Sequence, residues 1–150
     1  MARRVLTVVL AMLAGTLLAA GPASATYGAP TPVQIQVNGG GMKLSGVYGS
    51  LSFDDGNTKF AYSLAVCRES SYTPPNVWYS VNGGQRIPIS GGGSAVTIPE
   101  CKYTAYLISG EPVPGVVITS VVVFVDGIWF DNHNVAHRFE RSGTYDNPFN

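Results

Sequence analysis

The sequence predicts an all-β protein, an antiparallel β-sandwich of about seven to nine short strands linked by one disulfide. Three observations support this prediction. Apolar and polar residues alternate with a period of two from Val33 onward, and Gly, Asn, Asp and Pro interrupt the alternation at intervals of about ten residues. No stretch of convincing length has the periodicity of an amphipathic helix. A small β-barrel is the alternative, although a sandwich is more usual at this length.

The predicted strands follow from the alternation and from the residues that end it. Gly46 and Gly49 interrupt the second strand, which indicates a β-bulge or a close approach of two backbones. Pro88 places its strand at a sheet edge, because proline has no amide hydrogen to donate to a ladder. In chain order, the predicted strands cover residues 33–37, 42–53, 60–67, 76–81, 85–89, 95–98, 101–108 (the last two also readable as one interrupted strand), 116–125 and 128–130.

In the C-terminal third, the sequence predicts a buried strand, a hairpin and a polar tail. Residues 116–125 are rich in β-branched side chains, which favours a central strand buried on both faces. Asp126-Gly127 has the composition of a two-residue turn and predicts a hairpin to residues 128–130. The rest of the chain is polar, with Val135 and Phe139 as its main apolar anchors.

The first 25 residues predict an export signal. Arg3 and Arg4 form a basic start, residues 5–20 form an apolar segment, and Pro22-Ala23-Ser24-Ala25 forms a cleavage site of small residues. The apolar segment is shorter than the roughly 20 residues of a membrane-spanning helix. We therefore expect a secreted, extracellular protein that does not contact the membrane once the signal peptide, residues 1–25, is removed.

After cleavage we expect an extended arm and one domain. The arm covers residues 26–32, where Pro30 and Pro32 lack the amide hydrogens that regular pairing needs. Such an arm can insert into a groove or add a strand to the sheet of a partner, and a floppy terminus is the alternative. The β-sandwich domain covers residues 33–150, since this length accommodates one domain.

Cys67 and Cys101 are the two cysteines of the chain. An even number of cysteines in an exported chain predicts a disulfide, because nothing outside the cytosol keeps thiols reduced. Zinc binding would need more ligands at suitable spacings. The chain-entropy model gives a loop of this size about 3 to 4 kcal/mol of stabilisation when the bond closes it.

Composition and motifs exclude several classes of function. Charged residues make up 12% of the chain and the two signs balance, so no nucleic-acid partner is expected. His133 and His137 have the spacing of a helical zinc-ligand pair, but Asn134 stands where metalloproteases have a glutamate base. The segment 91–94 lacks the second glycine of a nucleophile elbow. We therefore expect no enzyme, no catalytic residues, no metal and no cofactor.

Aromatic and arginine side chains near predicted loops are the candidates for binding, because such residues anchor protein contacts and stack on sugars. Core packing is the alternative for Trp78 and for Trp129, since one tryptophan of a two-sheet domain is usually buried. The candidate binding surface comprises Tyr27, Tyr72, Trp78, Tyr79, Trp129, Phe130, His133, His137 and Arg138.

The export signal, the proline-containing arm and the sandwich with Cys67 and Cys101 together resemble the small adaptor subunits of actinobacterial umbrella-shaped secreted toxin particles. In those assemblies a small subunit links a lectin subunit to a stalk of helical repeats. The resemblance is one of architecture and carries over no individual functional residue. It implies an adaptor whose arm, residues 26–32, docks with a partner.

We therefore expect a secreted, non-enzymatic module that binds a protein partner through its arm and its aromatic loops. Two other classes of function fit the same sequence. A hydrolase or protease inhibitor would present residues 69–76, next to Cys67, to an active site. A glycan-binding or glycan-active protein would use Trp78, Trp129 and nearby carboxylates as a sugar platform.

Overall fold

The computed structural model describes residues 26–89 and 93–150, which form two antiparallel sheets and no helix. None of these residues therefore forms a helix long and apolar enough to cross a membrane. The predicted export signal and residues 90–92 lie outside the described residues. The strands are β1 Thr31–Gly39, β2 Met42–Phe53, β3 Phe60–Arg68, β4 Val77–Val81, β5 Ile87–Pro88, β6 Ser94–Val96, β7 Ala105–Gly110, β8 Ser120–Phe130 and β9 Ala136–Asp146.

The two sheets confirm the predicted sandwich and not the alternative of a closed barrel. One sheet has the strand order β1-β2-β3-β7-β6 and the other has the order β5-β4-β8-β9. All hydrogen-bonded neighbours are antiparallel. Pro88 lies in the edge strand β5, as predicted from its missing donor.

The core lies between the sheets and explains the period of two. In β1, Val33, Ile35 and Val37 are buried, whereas the glutamines between them are exposed. Burying one such side chain stabilises the fold by about 1.5 to 3 kcal/mol. The core consists of Val33, Ile35, Val37, Leu44, Val47, Leu51, Phe53, Phe60, Leu64, Val66, Val77, Tyr79, Ile108, Ile118, Val121, Val123 and Val125.

Gly49 and the β1–β2 register account for the irregularity predicted in β2. A Cβ atom on Gly49 would lie 2.0 Å from the carbonyl oxygen of Ser63 on β3, so this position requires glycine. The predicted close approach is therefore confirmed. The shift in register lies elsewhere, opposite Val37 and Asn38 of β1.

The disulfide forms between Cys67 and Cys101, whose Cα atoms are 5.5 Å apart. It lies on the outer face of the five-stranded sheet. There, Cys67 and Ala65 of β3 are buried together with Tyr48, Cys101 and Ala105. The bond thus fixes the connection from β6 to β7 on the sheet. This connection covers Ala65 and Cys67 at the end of β3, whereas Ser63 on the same face is exposed.

The two lateral edges of the sandwich differ. At one edge, β1 packs against β8 and β9. Glycines permit this contact, because a Cβ atom on Gly39 would lie 2.5 Å from the Phe139 ring and one on Gly40 would lie 2.5 Å from the Trp129 ring. At the other edge, β3 and β7 are separated from β4 and β5 by a cleft.

The predicted hairpin turn at Asp126-Gly127 is wrong. Strand β8 continues through these residues, and β9 pairs with it from Ser120 to Phe130. The turn lies at residues 131–135, and most of the predicted polar tail forms β9. Gly127 serves packing, because a Cβ atom there would lie 2.7 Å from Cβ of Leu44. Val135, one of the two predicted apolar anchors, is exposed, whereas Phe139 packs against the core.

The predicted strand at residues 116–125 is wrong at its start and in its burial. Val116 and Val117 precede β8 and have 54% and 62% of their surface exposed. Within β8, Val121 and Val123 are buried, whereas Val122 between them is half-buried. Because β-branched residues are favoured on both faces of a strand, composition alone did not reveal this alternation.

The segment predicted as an extended arm, residues 26–32, lies against the sheet. Its last two residues, Thr31 and Pro32, belong to β1 and pair with β2. The amide of Gly28 donates to the carbonyl of Phe53 at 2.9 Å, and Tyr27 forms an isolated bridge with the start of the β2–β3 turn. The expectation that proline prevents pairing is therefore wrong, because an edge strand tolerates Pro32.

The turn between β2 and β3 is organised by Asp54, a buried carboxylate. It accepts hydrogen bonds from the amides of Thr58 and Lys59, each at 2.8 Å, and from the Thr58 hydroxyl at 2.9 Å. Burial by itself raises the pKa of Asp54, but these hydrogen bonds and the charge of Lys59 outweigh burial and hold that pKa below its ordinary value.

Asp54→Asn is expected to lower the free energy of unfolding at neutral pH by about 1 to 3 kcal/mol, because an amide oxygen cannot accept all the hydrogen bonds of the carboxylate. Folding lowers the pKa of Asp54. Its contribution is therefore complete above the unfolded pKa of about 3.9 and is lost as the pH falls through the folded pKa. Urea denaturation of both proteins should show a difference that shrinks below about pH 4. A difference that is constant with pH would contradict this.

Candidate functional site

The open lateral edge of the sandwich contains a cleft of about 460 Å³, which we call the edge cleft. This volume lies within the range of about 300 to 1,000 Å³ that is usual for ligand sites. Both sheets and the loop between β3 and β4 contribute to its walls, which are mostly apolar. The lining residues are Val66, Arg68, Pro74, Pro75, Asn76, Val77, Trp78, Pro88, Ile89, Tyr106 and Ile108.

A second concave surface of about 450 Å³ adjoins the edge cleft. The two share Arg68 and Tyr106 as lining residues, so they meet at these side chains. The second surface is more polar in its residues and includes the start of the β3–β4 loop. Its lining consists of Arg68, Glu69, Ser70, Ser71, Tyr103, Thr104 and Tyr106.

The loop of residues 69–76 is fixed to both sheets. The amides of Glu69 and Ser71 donate to the carbonyl of Leu44 at 2.9 and 3.0 Å. The amide of Tyr72 donates to the carbonyl of Ile128 at 2.8 Å, and the amide of Ile128 donates to Ser71 Oγ at 3.0 Å. The loop therefore lies along the part of the β8 edge that β4 leaves unpaired.

Asp126 fixes the end of this loop. Its carboxylate accepts a hydrogen bond from the amide of Asn76 at 2.6 Å and one from the Asn76 side chain at 3.0 Å. Arg138 of β9 donates to the same carboxylate through Nε at 2.7 Å and also through Nη2. Only 1% of the Asp126 surface is exposed. A carboxylate this deeply buried needs such partners. Its position within β8 places it between the loop and β9, which supply them.

Tyr72 and Phe130, two of the predicted binding residues, form an aromatic pair in which Tyr72 is exposed and Phe130 is half-buried. Their ring centroids are 4.7 Å apart in an edge-to-face arrangement. Tyr72 has 68% of its surface exposed although its backbone is hydrogen bonded to β8. The pair therefore presents apolar surface from a fixed backbone.

Trp78 and Arg138, also predicted binding residues, contact each other. The guanidinium carbon of Arg138 lies 5.3 Å from the centroid of the Trp78 ring. Trp78 is half-buried, lines the edge cleft and lies opposite Phe124 of β8. Arg86 covers the Phe124 ring at 3.9 Å. On this face of the four-stranded sheet, an arginine side chain therefore lies over each of the two aromatic rings.

Trp129 lies on the other face of the same sheet. It is five positions from Phe124 along β8, and alternate residues of a strand point to opposite faces. The Trp129 ring packs partly against the core and lies 5.6 Å from the His137 ring. The structure does not bring Trp78 and Trp129 together, so the two do not form a common sugar platform.

Asp131 contacts both the imidazole of His137 and the backbone amide of His133. The Nε2 atom of His137 lies 2.9 Å from one carboxylate oxygen, and the amides of His133 and Val135 donate to the other, each at 2.9 Å. The hydrogen bond with His137, followed by that from Val135, holds the pKa of Asp131 below its ordinary value. These contacts stabilise the turn between β8 and β9.

The described residues contain one group of three potential metal-ligand atoms within 4.8 Å of one another, and it does not include the histidines. This group is Cys67, Glu69 and Cys101. The two sulfur atoms are bonded to each other, and Glu69 forms an ion pair with Lys43 at 3.1 Å. The three residues therefore have a structural role, in which the start of the loop lies beside the disulfide.

Two predicted binding residues lie elsewhere. Tyr79 belongs to the core, with 9% of its surface exposed and its ring edge-on to Phe60 at 5.2 Å. Tyr27 lies at the opposite end of the sandwich, where Lys59 is 5.0 Å from its ring. The assignment of Tyr79 to a binding surface is therefore wrong, because its alternation within β4 points it inward.

Sequence reasoning missed Arg68 and Tyr106. Tyr106 pairs with Val66 across β3 and β7, which are far apart in the chain. The one available signal was an exposed aromatic residue within a predicted strand. Its relation to Trp78 depends on the strand order, which the sequence does not specify.

Asp126→Ala is expected to lower the free energy of unfolding by about 1 to 3 kcal/mol, because the amide donors of Asn76 and the guanidinium of Arg138 lose their acceptor. Urea denaturation measures this loss. Asp146→Ala, which removes an exposed carboxylate of β9, is the matched control. Equal stability of the two variants would show that Asp126 does not hold the loop.

Comparisons with known proteins give no relative: no family model, no curated protein and no solved structure matches the chain. The edge cleft and the loop beside it are therefore the features from which a function is inferred.

Proposed function

We propose that this protein is a secreted, non-enzymatic binding module that holds a protein partner at the edge cleft and the 69–76 loop. The observation that carries the proposal is the fixation of an exposed loop. Tyr72 is exposed, yet its backbone is hydrogen bonded to β8, and Asn76 is bound by the buried Asp126. A loop ordered before binding loses little conformational entropy when a partner arrives.

The composition of this surface also supports protein binding. Trp, Tyr and Arg are the residue types that contribute most to the affinity of protein interfaces. Here Tyr72 pairs with Phe130, and Trp78 with Arg138, on either side of Asp126. The edge cleft next to them offers an apolar recess for a side chain of the partner.

An adaptor needs a second contact surface, and the opposite end of the sandwich offers one. The loop between β7 and β8 exposes Val113, Val116 and Val117, with 69%, 54% and 62% of their surface accessible. Its base is fixed, since the amide of Ile118 donates to the carbonyl of Asn57 at 2.8 Å. We propose these three valines as the second contact surface.

We therefore propose that the two ends of the sandwich, and not a free arm, link partners in an extracellular assembly such as a toxin particle. Residues 26–32 are not a free arm, because they are hydrogen bonded along β2. The predicted export signal and the disulfide support an extracellular location, where thiols stay oxidised.

The purified protein, immobilised through its C-terminus, is expected to retain a protein from the extracellular fraction of the organism that produces it. Tyr72→Ala and Trp78→Ala should each weaken that contact by about tenfold or more, as the loss of an anchor residue does. Phe149→Ala, an exposed aromatic residue near the opposite end, is the matched control and should leave the contact unchanged. Retention unaffected by either loop variant would contradict the proposal.

A hydrolase inhibitor is the second candidate function, because the same loop is rigid, exposed and next to the Cys67 disulfide. A protease that accepts aromatic side chains would receive Tyr72. In that case the protein is expected to inhibit a chymotrypsin-type protease stoichiometrically, and Tyr72→Ala should abolish inhibition. Rapid cleavage of the loop without inhibition, followed by mass spectrometry, would eliminate this candidate.

A further inference from the structure

The edge cleft and the second concave surface adjoin each other, and we call the two together the groove. They meet at Arg68 and Tyr106. The half toward β5 contains apolar residues such as Trp78, whereas the other half contains more polar residues, among them Glu69, whose carboxylate is paired with Lys43 at 3.1 Å. Two adjoining recesses can accept successive residues of one extended chain.

Arg68 is a cation without an acidic partner among residues 26–89 and 93–150. The ion pairs of this part of the chain use Lys43, Lys59, Arg86, His137 and Arg138. Arg68 instead donates to the carbonyls of Ser71 at 2.9 Å and Tyr72 at 2.7 Å. Two of the five N–H groups of a guanidinium fix its position in this way, and the others are available to a carboxylate.

The apolar half of the groove has the residue types that bind extended, proline-containing peptides. Such segments dock on aromatic side chains with their polyproline II conformation already formed. Trp78 and Tyr106 supply the aromatic rings, and Pro74, Pro75 and Pro88 supply further flat apolar surface.

A sugar fits the edge cleft poorly. Sugar recognition needs several hydrogen-bonding side chains, and most of the residues that line the edge cleft are apolar; Arg68, Asn76, Trp78 and Tyr106 are the ones that can hydrogen bond. The side-chain amide of Asn76 already donates to Asp126. The Trp78 ring is covered in part by Arg138.

We infer that the groove binds an extended peptide segment of the partner, in which an acidic side chain contacts Arg68 and a neighbouring proline or aliphatic residue occupies the edge cleft that Trp78 and Tyr106 line. This inference rests on the proposed function, because it names the part of a protein partner that the module recognises.

Selection of a phage-displayed library of random peptides on the purified protein tests the inference. The enriched peptides are expected to contain Asp or Glu close to proline or aliphatic residues. A synthetic copy of one such peptide should bind in solution. Replacing its acidic residue by the corresponding amide should weaken binding roughly ten- to hundredfold, since a hydrogen bond between charged groups is lost.

Variants of the protein assign that loss to Arg68. Arg68→Gln should weaken binding of the acidic peptide by the same factor. It should not weaken binding of the amide peptide any further. Arg141→Gln, which removes an exposed arginine of β9, is the matched control and should bind like the wild type. Trp78→Ala should abolish binding of both peptides. Thermal melting shows whether each variant is folded, and the change in the peptide tests the contact without altering the protein.

Three results would overturn the inference. The selection could enrich no peptide, or it could enrich peptides without acidic residues. Alternatively, Arg68→Gln could weaken binding of the amide peptide as much as it weakens binding of the acidic peptide. Failure of the proposed function gives a different result. If Tyr72→Ala abolishes retention of a protein partner while Arg68→Gln does not change it, the binding module stands and the peptide groove is rejected. If no partner contact depends on the loop at all, the proposed function itself fails.

Discussion

The buried carboxylate of Asp126 is the interaction on which the functional surface depends. It interrupts the apolar alternation of β8 and is satisfied by Asn76 from the loop and by Arg138 from β9. Because an unpaired buried carboxylate is strongly unfavourable, the loop is held against β8 as long as the strand is intact. The same contact places the Arg138 guanidinium over the Trp78 ring. One buried charge thus positions a wall of the edge cleft and the aromatic surface next to it.

The rest of the fold leaves this edge of the sandwich open. Glycines at the end of β1 allow Phe139 and Trp129 to pack closely and close the other edge. The disulfide and its small apolar cluster fasten the β6–β7 connection to the outer face of the five-stranded sheet, away from the space between the sheets. At the open edge β5 has only two residues, Ile87 and Pro88, and the loop replaces a strand beside β8. A recess therefore remains between two rigid sheets, which suits recognition of a side chain from another molecule.

The sequence was informative where a pattern is local. The positions of β1 to β4, the edge position of Pro88, the close approach at Gly49 and the disulfide all follow from short stretches of chain and were predicted correctly. The turn predicted at Asp126-Gly127 was wrong, because a buried acceptor next to a closely packed glycine has the same composition as a two-residue turn. The groove could not be predicted, since Tyr106 and Trp78 line one cleft from two sheets whose strand order is non-local. Tyr79 was assigned to the binding surface because it is close to the proline loop, but it shares the inward face of β4 with Val77.

Amide hydrogen exchange measured by NMR shows directly whether the loop is fixed before any partner binds. The amides of Tyr72 and Asn76 are expected to exchange slowly, like those of the neighbouring strand β4, because their acceptors are the carbonyl of Ile128 and the carboxylate of Asp126. Exchange at these two amides as fast as in an unfolded chain, with β4 still protected, would mean that the loop opens freely and that the cleft has no permanent wall.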